Sequence, residues 1–243
     1  MKFYAVIIGT EILNGRREDK HFNFLQNELK KYGHELFSTL VIKDDPKLIK
    51  NIYELIKSDQ DAVMFSFGGI GSTPDDLTRE ISADVFTSKP LTLHKKFEQD
   101  IIDRFGDDAY PHRIHMAELP HNANLIFNPV NNMSGYSLED RFFFVPGFPE
   151  MAHPMISDVI QTFFSESKEK FRYTLVAQTS ENTLIDIMNL IPSEIELSSL
   201  PMLNNNKASV ELSLSGYDKS NIKHYFNLFC QELNNKNIPY LLT

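Results

Sequence analysis

The sequence holds a single cysteine, Cys230, so no intrachain disulfide contributes to stability and a reducing, cytoplasmic setting fits. Cys230 sits in the apolar-periodic stretch HYFNLFCQEL, with no His or Arg beside it at helical spacing. It reads as a small buried hydrophobe rather than a reactive thiol. Basic residues are also scarce: 24 Lys and Arg against 33 Asp and Glu give a net charge of -9 and a pI near 5.4. No clustered basic face is visible, which argues against a chain that tracks nucleic-acid phosphates. Long apolar runs are missing too. The N-terminal MKFYAVIIG has too short an apolar run for a signal-peptide core, and no segment approaches the roughly 20 apolar residues that span a bilayer. Neither a nucleic acid nor a membrane is an expected partner. What remains is a globular composition, 42% hydrophobic, with aromatics supplied mainly by 19 Phe. At 243 residues the chain is long enough for one large domain or two smaller ones.

Up to about residue 165, short apolar runs alternate with amphipathic stretches. FYAVIIG reads as a strand and is followed by a helical period carried by Phe24, Leu25 and Leu29. ELFSTLVI is the next strand, PKLIKNIYELIKS a helix with Pro46 in its first turn, and DAVMFSFGG a strand ending in glycines. DDLTREISADVF reads as a helix whose acidic start suits its dipole. Three strand–helix alternations imply right-handed crossovers in an α/β, mostly parallel sheet, with ligands expected beyond the carboxyl ends of the strands. KKFEQDIIDRFG and EMAHPMISDVIQTFF are further helices, and GYSLEDRFFFVPG a hairpin around Glu139 and Asp140. The polar run SESKEKF, residues 165–171, marks a boundary between domain 1–165 and domain 171–243. The second domain reads strand–helix–strand–strand–helix–strand, with its first helix over ENTLIDIMNLI. That is the split βαβ, ferredoxin-like α+β arrangement. From Lys168 onward it carries seven basic and eight acidic residues, so it offers little for a phosphate backbone.

The most informative stretch is GGIGSTPDDLTRE, residues 68–80, which sets three glycines and two hydroxyls between a buried strand and a helix N-terminus. Gly68, Gly69 and Gly71 let the backbone approach a phosphate, and Ser72 and Thr73 can donate hydroxyl hydrogen bonds. A side chain at Gly71 is expected to intrude on the bound phosphate. Asp75 and Asp76 add hard oxygen ligands of the kind a Mg²⁺-bridged phosphate or pyrophosphate needs. The alternative is a plain glycine turn with a helix cap supplied by Thr73 or Asp75. The loop matches neither the dinucleotide fingerprint nor the P-loop, because no Lys follows its last glycine. Strand one ends in GTEILNG, with Glu11 and Asn14 where the chain leaves the sheet, and strand two in Asp44 and Asp45. Parallel strands would turn all three ends toward one crevice, gathering Glu11, Asp44 and Asp76 near the glycines.

GTEILNG, Asp44, GGIGSTPDDLTRE and PGFPEMAHPM together resemble the molybdopterin-binding (MoaB/Mog) domain, in the branch found at the N-terminus of CinA competence/damage-inducible proteins. The resemblance covers about residues 1–165. It implies a three-layer α/β/α domain, and for the second domain the small αβ linker domain of that family. In molybdenum-cofactor enzymes the fold binds the pterin phosphate, and CinA-type members are associated with divalent-metal-dependent cleavage of ADP-ribose-like pyrophosphates. By position, Gly68, Gly69, Gly71 and Thr73 would hold the phosphate. Asp44 and Asp76 would be the metal-side, catalytic carboxylates, and Glu11 and Asn14 would line the same pocket. Asn128, Pro129 and Gly135 resemble a later NPxG…G loop, with Gly135 on the substrate side. Pro146, Gly147, Pro149 and Met155 resemble the PGxP…M turn. The chain departs from the pattern at Ser72 (usually Pro), at Asp19, Lys20 and His21 (commonly Asn-Thr-Asn), and at Asn131 (usually Gly). Glu150 follows Pro149 directly, and Met151 holds the position of the usual carboxylate. A separate amidohydrolase domain is not expected, nor is deamidation of nicotinamide mononucleotide.

The expected function is therefore binding of a phosphorylated pterin or a nucleotide diphosphate, with Mg²⁺ or another divalent metal assisting pyrophosphate hydrolysis. The alternative is a non-catalytic ligand-binding or protein-interaction module that keeps the fold. A homodimer is expected from the family resemblance. His112, His115 and His121 read as surface or phosphate-contacting residues rather than a zinc site, and Arg113 as a clamp for a second phosphate. No G-x-S-x-G elbow supports acyl transfer.

Overall fold

The computed structural model describes residues 1–243 except Ser167, Lys168, Asn205 and Asn206, and except the side chains of Leu203, Asn204 and Lys207. Contacts divide the chain into two compact units, Met1–Ser167 and Lys168–Thr243. The polar run read as the domain boundary includes Ser167 and Lys168, which lie outside the described residues.

The first unit runs β1 (Lys2–Ile8), α1 (Thr10–Leu13), α2 (His21–Lys30), β2 (Leu36–Ile42), α3 (Pro46–Ser58), β3 (Ala62–Phe67) and α4 (Thr78–Ser82). It continues β4 (Thr92–Leu93), α5 (Lys95–Phe105), β5 (Glu118–Leu119), β6 (Asn124–Ile126), β7 (Gly135–Leu138), β8 (Phe142–Val145) and α6 (Pro149–Phe163). Six strands form one sheet in the order β2-β1-β3-β8-β7-β6. Its pairs from β2 to β8 are parallel, and β7 and β6 are added antiparallel. Strand alternation divides the core between two faces. Tyr4, Val6 and Ile8 of β1 pack with Ile49, Tyr53 and Ile56 of α3 and with Phe97 and Ile101 of α5. Phe3, Ala5 and Ile7 pack with Leu25 and Leu29 of α2 and with Met155, Ile156 and Ile160 of α6. A sheet buried on both faces explains why β3, AVMFSF, is apolar at every position but one. The exception, Ser66, hydrogen-bonds the buried Tyr53 hydroxyl at 2.7 Å.

Local chemistry places the element ends. Asp45 caps α3 by accepting from the Leu48 N–H at 2.7 Å, and Pro46 fills the first helical position. The β7–β8 hairpin turns on Glu139 and Asp140, both at positive φ (55° and 49°), with the Arg141 N–H donating to the Leu138 carbonyl at 3.2 Å. The segment DDLTREISADVF differs from its reading as one helix: α4 starts only at Thr78, and residues Ala83–Thr87 continue as a π-helix. The helix starts late because the preceding residues close a turn of their own, the Asp76 N–H donating to the Thr73 carbonyl at 3.0 Å.

The second unit contains β9 (Phe171–Ala177), α7 (Ile185–Met188), β10 (Glu196–Asn204), β11 (Lys207–Gly216), α8 (Lys219–Asn235) and β12 (Tyr240–Leu242). Its antiparallel sheet has the order β10-β11-β9-β12, which is the ferredoxin-like arrangement with β11 inserted between the split strands. The helix expected over ENTLIDIMNLI shrinks to a 3-10 turn at Glu181–Thr183 and the single turn of α7. Side chains there are tied outside the segment, Thr183 to Thr179 at 2.7 Å and Glu181 to Ser199 of β10, and Pro192 blocks extension. Cys230 is half-buried beside Tyr240, and burial pushes its thiol pKa up, consistent with an inert thiol. Among the described residues no helix is long and apolar enough to cross a membrane.

Candidate functional site

The carboxyl ends of β1, β2 and β3 open onto the glycine loop that joins β3 to α4. Two of its glycines need the left-handed region: Gly68 has φ 101° and Gly69 φ 70°. A Cβ on Gly68 would lie 2.6 Å from the Ile8 carbonyl oxygen of β1, and one on Gly69 would collide with the Thr78 hydroxyl. The loop's carbonyls all turn to one side. The Gly68 carbonyl accepts from the Thr78 hydroxyl at 3.0 Å and that of Gly69 from the Thr78 N–H at 3.0 Å. The carbonyls of Ile70 and Gly71 both accept from the Arg79 guanidinium. The other side of the same peptides is free: the N–H groups of Gly69, Ile70, Gly71 and Ser72 find no acceptor among the described residues. A half-buried run of unpaired donors with its acceptors tied behind it is a backbone nest for an anion.

Arg79, which the sequence reading passed over, is 5% exposed. Among the described residues it makes no ion pair, and its Nε has no hydrogen-bond partner there. A buried cation held only by neutral carbonyls is costly, and an anion on the opposite face of the loop would offset it. Arg79 thus stands where the motif lacks the P-loop's lysine.

The carboxylates are organised one by one. Asp76 Oδ2 accepts from the Thr73 N–H at 2.8 Å and the Thr73 hydroxyl at 2.6 Å. Neither Thr73 nor Asp75 caps α4, whose N-cap is Leu77. At Gly71 a Cβ would lie 2.5 Å from Asp76 Oδ2. It is small to admit the Asp76 carboxylate. Asp44 Oδ2 accepts from the Thr10 N–H at 2.9 Å and the Thr10 hydroxyl at 2.7 Å, which ties β2's exit to β1's. Each aspartate is thereby fixed through Oδ2, with Oδ1 left over. Glu11 folds back over Gly9, while the exposed Asn14 accepts from Arg16. Among the described residues no three His, Cys, Asp or Glu side chains converge to hold a metal ion by themselves. A Mg²⁺ needs no such cage, because one or two carboxylates, water and a substrate phosphate complete its shell.

Other expected site residues act in packing. Gly135 lies inside β7, where a Cβ would strike the Phe144 carbonyl, so close strand packing requires glycine there. Asn128, fully buried, donates to the Met133 carbonyl and accepts from the Val130 N–H, both at 3.0 Å. Arg113 donates to the Asp108 carbonyl at 2.7 Å and stacks on Phe105, which occupies the group read as a second phosphate clamp. His115 pairs with Glu118 at 3.3 Å. The half-buried Ser72 stays beside the free amides.

Opposite the loop stand the starts of α2 and α6. A Cβ on Gly147 would lie 3.4 Å from the Gly68 α-carbon. The Gly147 carbonyl accepts from His21 Nε2 at 3.2 Å, which fixes that nitrogen as the protonated one. The His21 ring is buried, stacked on Phe67 at 4.3 Å and edge-on to His153 at 5.3 Å, and His153 stacks on Phe24 at 3.8 Å. Among the described residues His21 Nδ1 and His153 Nε2 have no hydrogen-bond partner. Burial lowers both imidazole pKa values, opposed by the nearby Asp19 and Glu150. A cavity of about 440 Å³ lies elsewhere, lined by Lys50, Lys57 and Asp84 among others, but its charges are engaged: Lys50 bonds Asp84 and Lys57 the Val85 carbonyl, both at 2.6 Å.

A family model described as "Probable molybdopterin binding domain" matches residues 4–166. A CinA-like protein of Nostoc punctiforme is 31% identical over 170 residues, covering 67% of this chain and 40% of that protein. A CinA-like protein of Flavobacterium psychrophilum is 27% identical over 247 aligned residues, covering 96% of this chain and 58% of that protein. The chain thus spans 40% to 58% of the length of these relatives. Among solved structures, CinA of Thermoplasma acidophilum is similar with a TM-score of 0.61 and 25% identity, covering 67% of this chain and 98% of that one.

Proposed function

The chain belongs to the molybdopterin-binding domain family, and from that premise we propose that its glycine loop binds the phosphate of a phosphorylated pterin or a nucleotide diphosphate. One observation carries the reading: the amides of residues 69–72 are unpaired on one side of the loop, while the buried Arg79 holds the carbonyls of Ile70 and Gly71 on the other. The donors are arranged before any ligand arrives, so little reorganisation opposes binding. The residues present fit a divalent ion, since Asp44 and Asp76 each keep one carboxylate oxygen uncommitted after bonding Thr10 and Thr73. When bound, Mg²⁺ or a similar ion would neutralise phosphate charge and lower the pKa of a coordinated water. Asp44 and Asp76 would hold it against the ligand's phosphate, and the loop amides and Ser72 would fix the phosphate for cleavage of an ADP-ribose-like pyrophosphate.

A second reading is binding without turnover. It is favoured by Met151 standing where the family's usual carboxylate would be, which leaves fewer groups able to accept a water's proton. Calorimetric titration of ADP-ribose with and without Mg²⁺, followed by assay of AMP release, tests both. Binding with Mg²⁺-dependent release supports the hydrolase, and binding without release the second reading. No binding under either condition would remove both. The resemblance also implies a homodimer, which a monomeric mass at micromolar concentration would contradict.

A further inference from the structure

We propose that Phe148 and Arg17 form a stacking platform for the planar heteroaromatic ring of the ligand whose phosphate sits on the glycine loop; the proposal rests on the phosphate reading above. Phe148 follows Gly147, the residue that packs against Gly68, so it stands on the rim of the loop. Its backbone is pinned as the N-cap of α6, with its carbonyl accepting from the Met151 N–H at 3.0 Å and the Ala152 N–H at 2.9 Å. The residue is nonetheless 51% exposed. Among the described residues it touches no other aromatic ring, unlike the core phenylalanines Phe65, Phe86, Phe142 and Phe143.

The group that does face it is the Arg17 guanidinium, 5.7 Å from the ring centroid. Arg17 is brought there by the turn after α1, its N–H donating to the Glu11 carbonyl at 3.0 Å. The guanidinium makes no ion pair among the described residues, in a chain of net charge -9 where acidic partners abound. A cation without a counterion beside an exposed phenyl, on the rim of an anion nest, matches a ligand that carries both negative charge and a π-face. A single exposed phenylalanine would mean little by itself. Its pairing with Arg17 and its place next to Gly68 distinguish it from Phe37 on β2, which is 58% exposed and has Tyr4 and Lys2 as neighbours.

The chain has no tryptophan, so Phe148→Trp installs a sole indole reporter. In the full chain, ADP-ribose is expected to quench its emission, while ribose 5-phosphate and inorganic pyrophosphate bind without comparable quenching; Phe37→Trp should report none of the three. Phe148→Ala should weaken ADP-ribose by about tenfold, the scale of one stacked base, and leave pyrophosphate affinity unchanged. Phe148→Leu should behave like Ala, because shape without a π-face does not stack. Unchanged ADP-ribose affinity in both variants while pyrophosphate still binds would overturn the platform and spare the phosphate reading. Failure of pyrophosphate to bind wild type would overturn both. A changed mass in solution for Phe148→Ala, with ADP-ribose affinity intact, would assign the ring to a contact between copies and also overturn the proposal.

Discussion

Replacing Arg79 separates an anion-binding charge from a structural one. Its guanidinium holds the Ile70 and Gly71 carbonyls on the reverse side of peptides whose N–H groups face the crevice. An anion on those amides would lie one peptide width and two hydrogen bonds away, about 7 Å from the charge. At an effective dielectric near 20, Coulomb attraction at that range is about 2.4 kcal/mol, or about fiftyfold in affinity. Without ligand the terms oppose each other. Arg79→Met loses two charge-assisted hydrogen bonds, each about 1.5–3 kcal/mol, but relieves the desolvation of a buried charge that lacks a counterion. The expected result is thus a small change in unliganded stability and a loss of about fiftyfold in pyrophosphate affinity. Arg79→Lys, which keeps the charge and one bond, should lose far less. Calorimetry at low salt beside thermal denaturation reads both quantities. Equal affinity in wild type and Arg79→Met would refute the electrostatic reasoning. So would equal losses in Met and Lys that track a fall in unliganded stability.

Asp76→Asn keeps an oxygen for Thr73 and removes the charge. Titration of ADP-ribose should show the Mg²⁺-dependent gain lost and metal-free binding unchanged or slightly tighter, whereas a parallel loss in both conditions would contradict a metal-side role. Gly69→Ala forces a Cβ into the Thr78 hydroxyl at φ 70° and should cost about 1–3 kcal/mol in denaturant melts, with near-zero loss counting against the loop geometry. Burial lowers the pKa of His21 and of His153, with Asp19 and Glu150 opposing in both cases, so the folded chain refuses protons that the unfolded chain accepts below its value near 6.5. Stability should be full above about pH 6.5 and fall as pH drops toward the lowered folded values, less steeply in His153→Phe; an unchanged slope in that variant would contradict the assignment. Limited proteolysis should first cut within residues 165–172 and release a folded first unit, and a first cut within residues 60–90 would count against that boundary.

The fold was legible because burial on both faces of the sheet writes itself into composition. β3 is a nearly continuous apolar run, and Pro46 and Asp45 mark the start of α3 within one residue. The helix after the glycines was misplaced because Asp75 and Asp76 look like a dipole-suited first turn. What the local string does not show is that Asp76 closes back on Thr73 and delays α4 to Thr78. The ENTLIDIMNLI period overstated a helix that the structure reduces to a 3-10 turn and the single turn of α7, with Pro192 close behind. At the site, Gly68 and Gly69 were readable from type alone, since positive φ selects glycine. At Gly71 and Gly135 the residue type alone does not show what the missing Cβ makes room for, the Asp76 carboxylate in one case and the Phe144 carbonyl in the other, because that is a tertiary fact. Arg79 was missed for a similar reason. A charged residue next to Thr78 reads as solvated until the turn of α4 places it beneath the loop, and its one signal was the absent lysine in an otherwise anion-ready motif.

Amide NMR of the labelled chain during titration with inorganic pyrophosphate, then ADP-ribose, measures the unpaired donors themselves. The N–H resonances of Gly69, Ile70, Gly71 and Ser72 should move downfield together and saturate with one affinity, with those of the second unit unmoved. Saturable binding that leaves these four resonances in place, or shifts confined to another part of the chain, would contradict the assignment of the phosphate site to this loop.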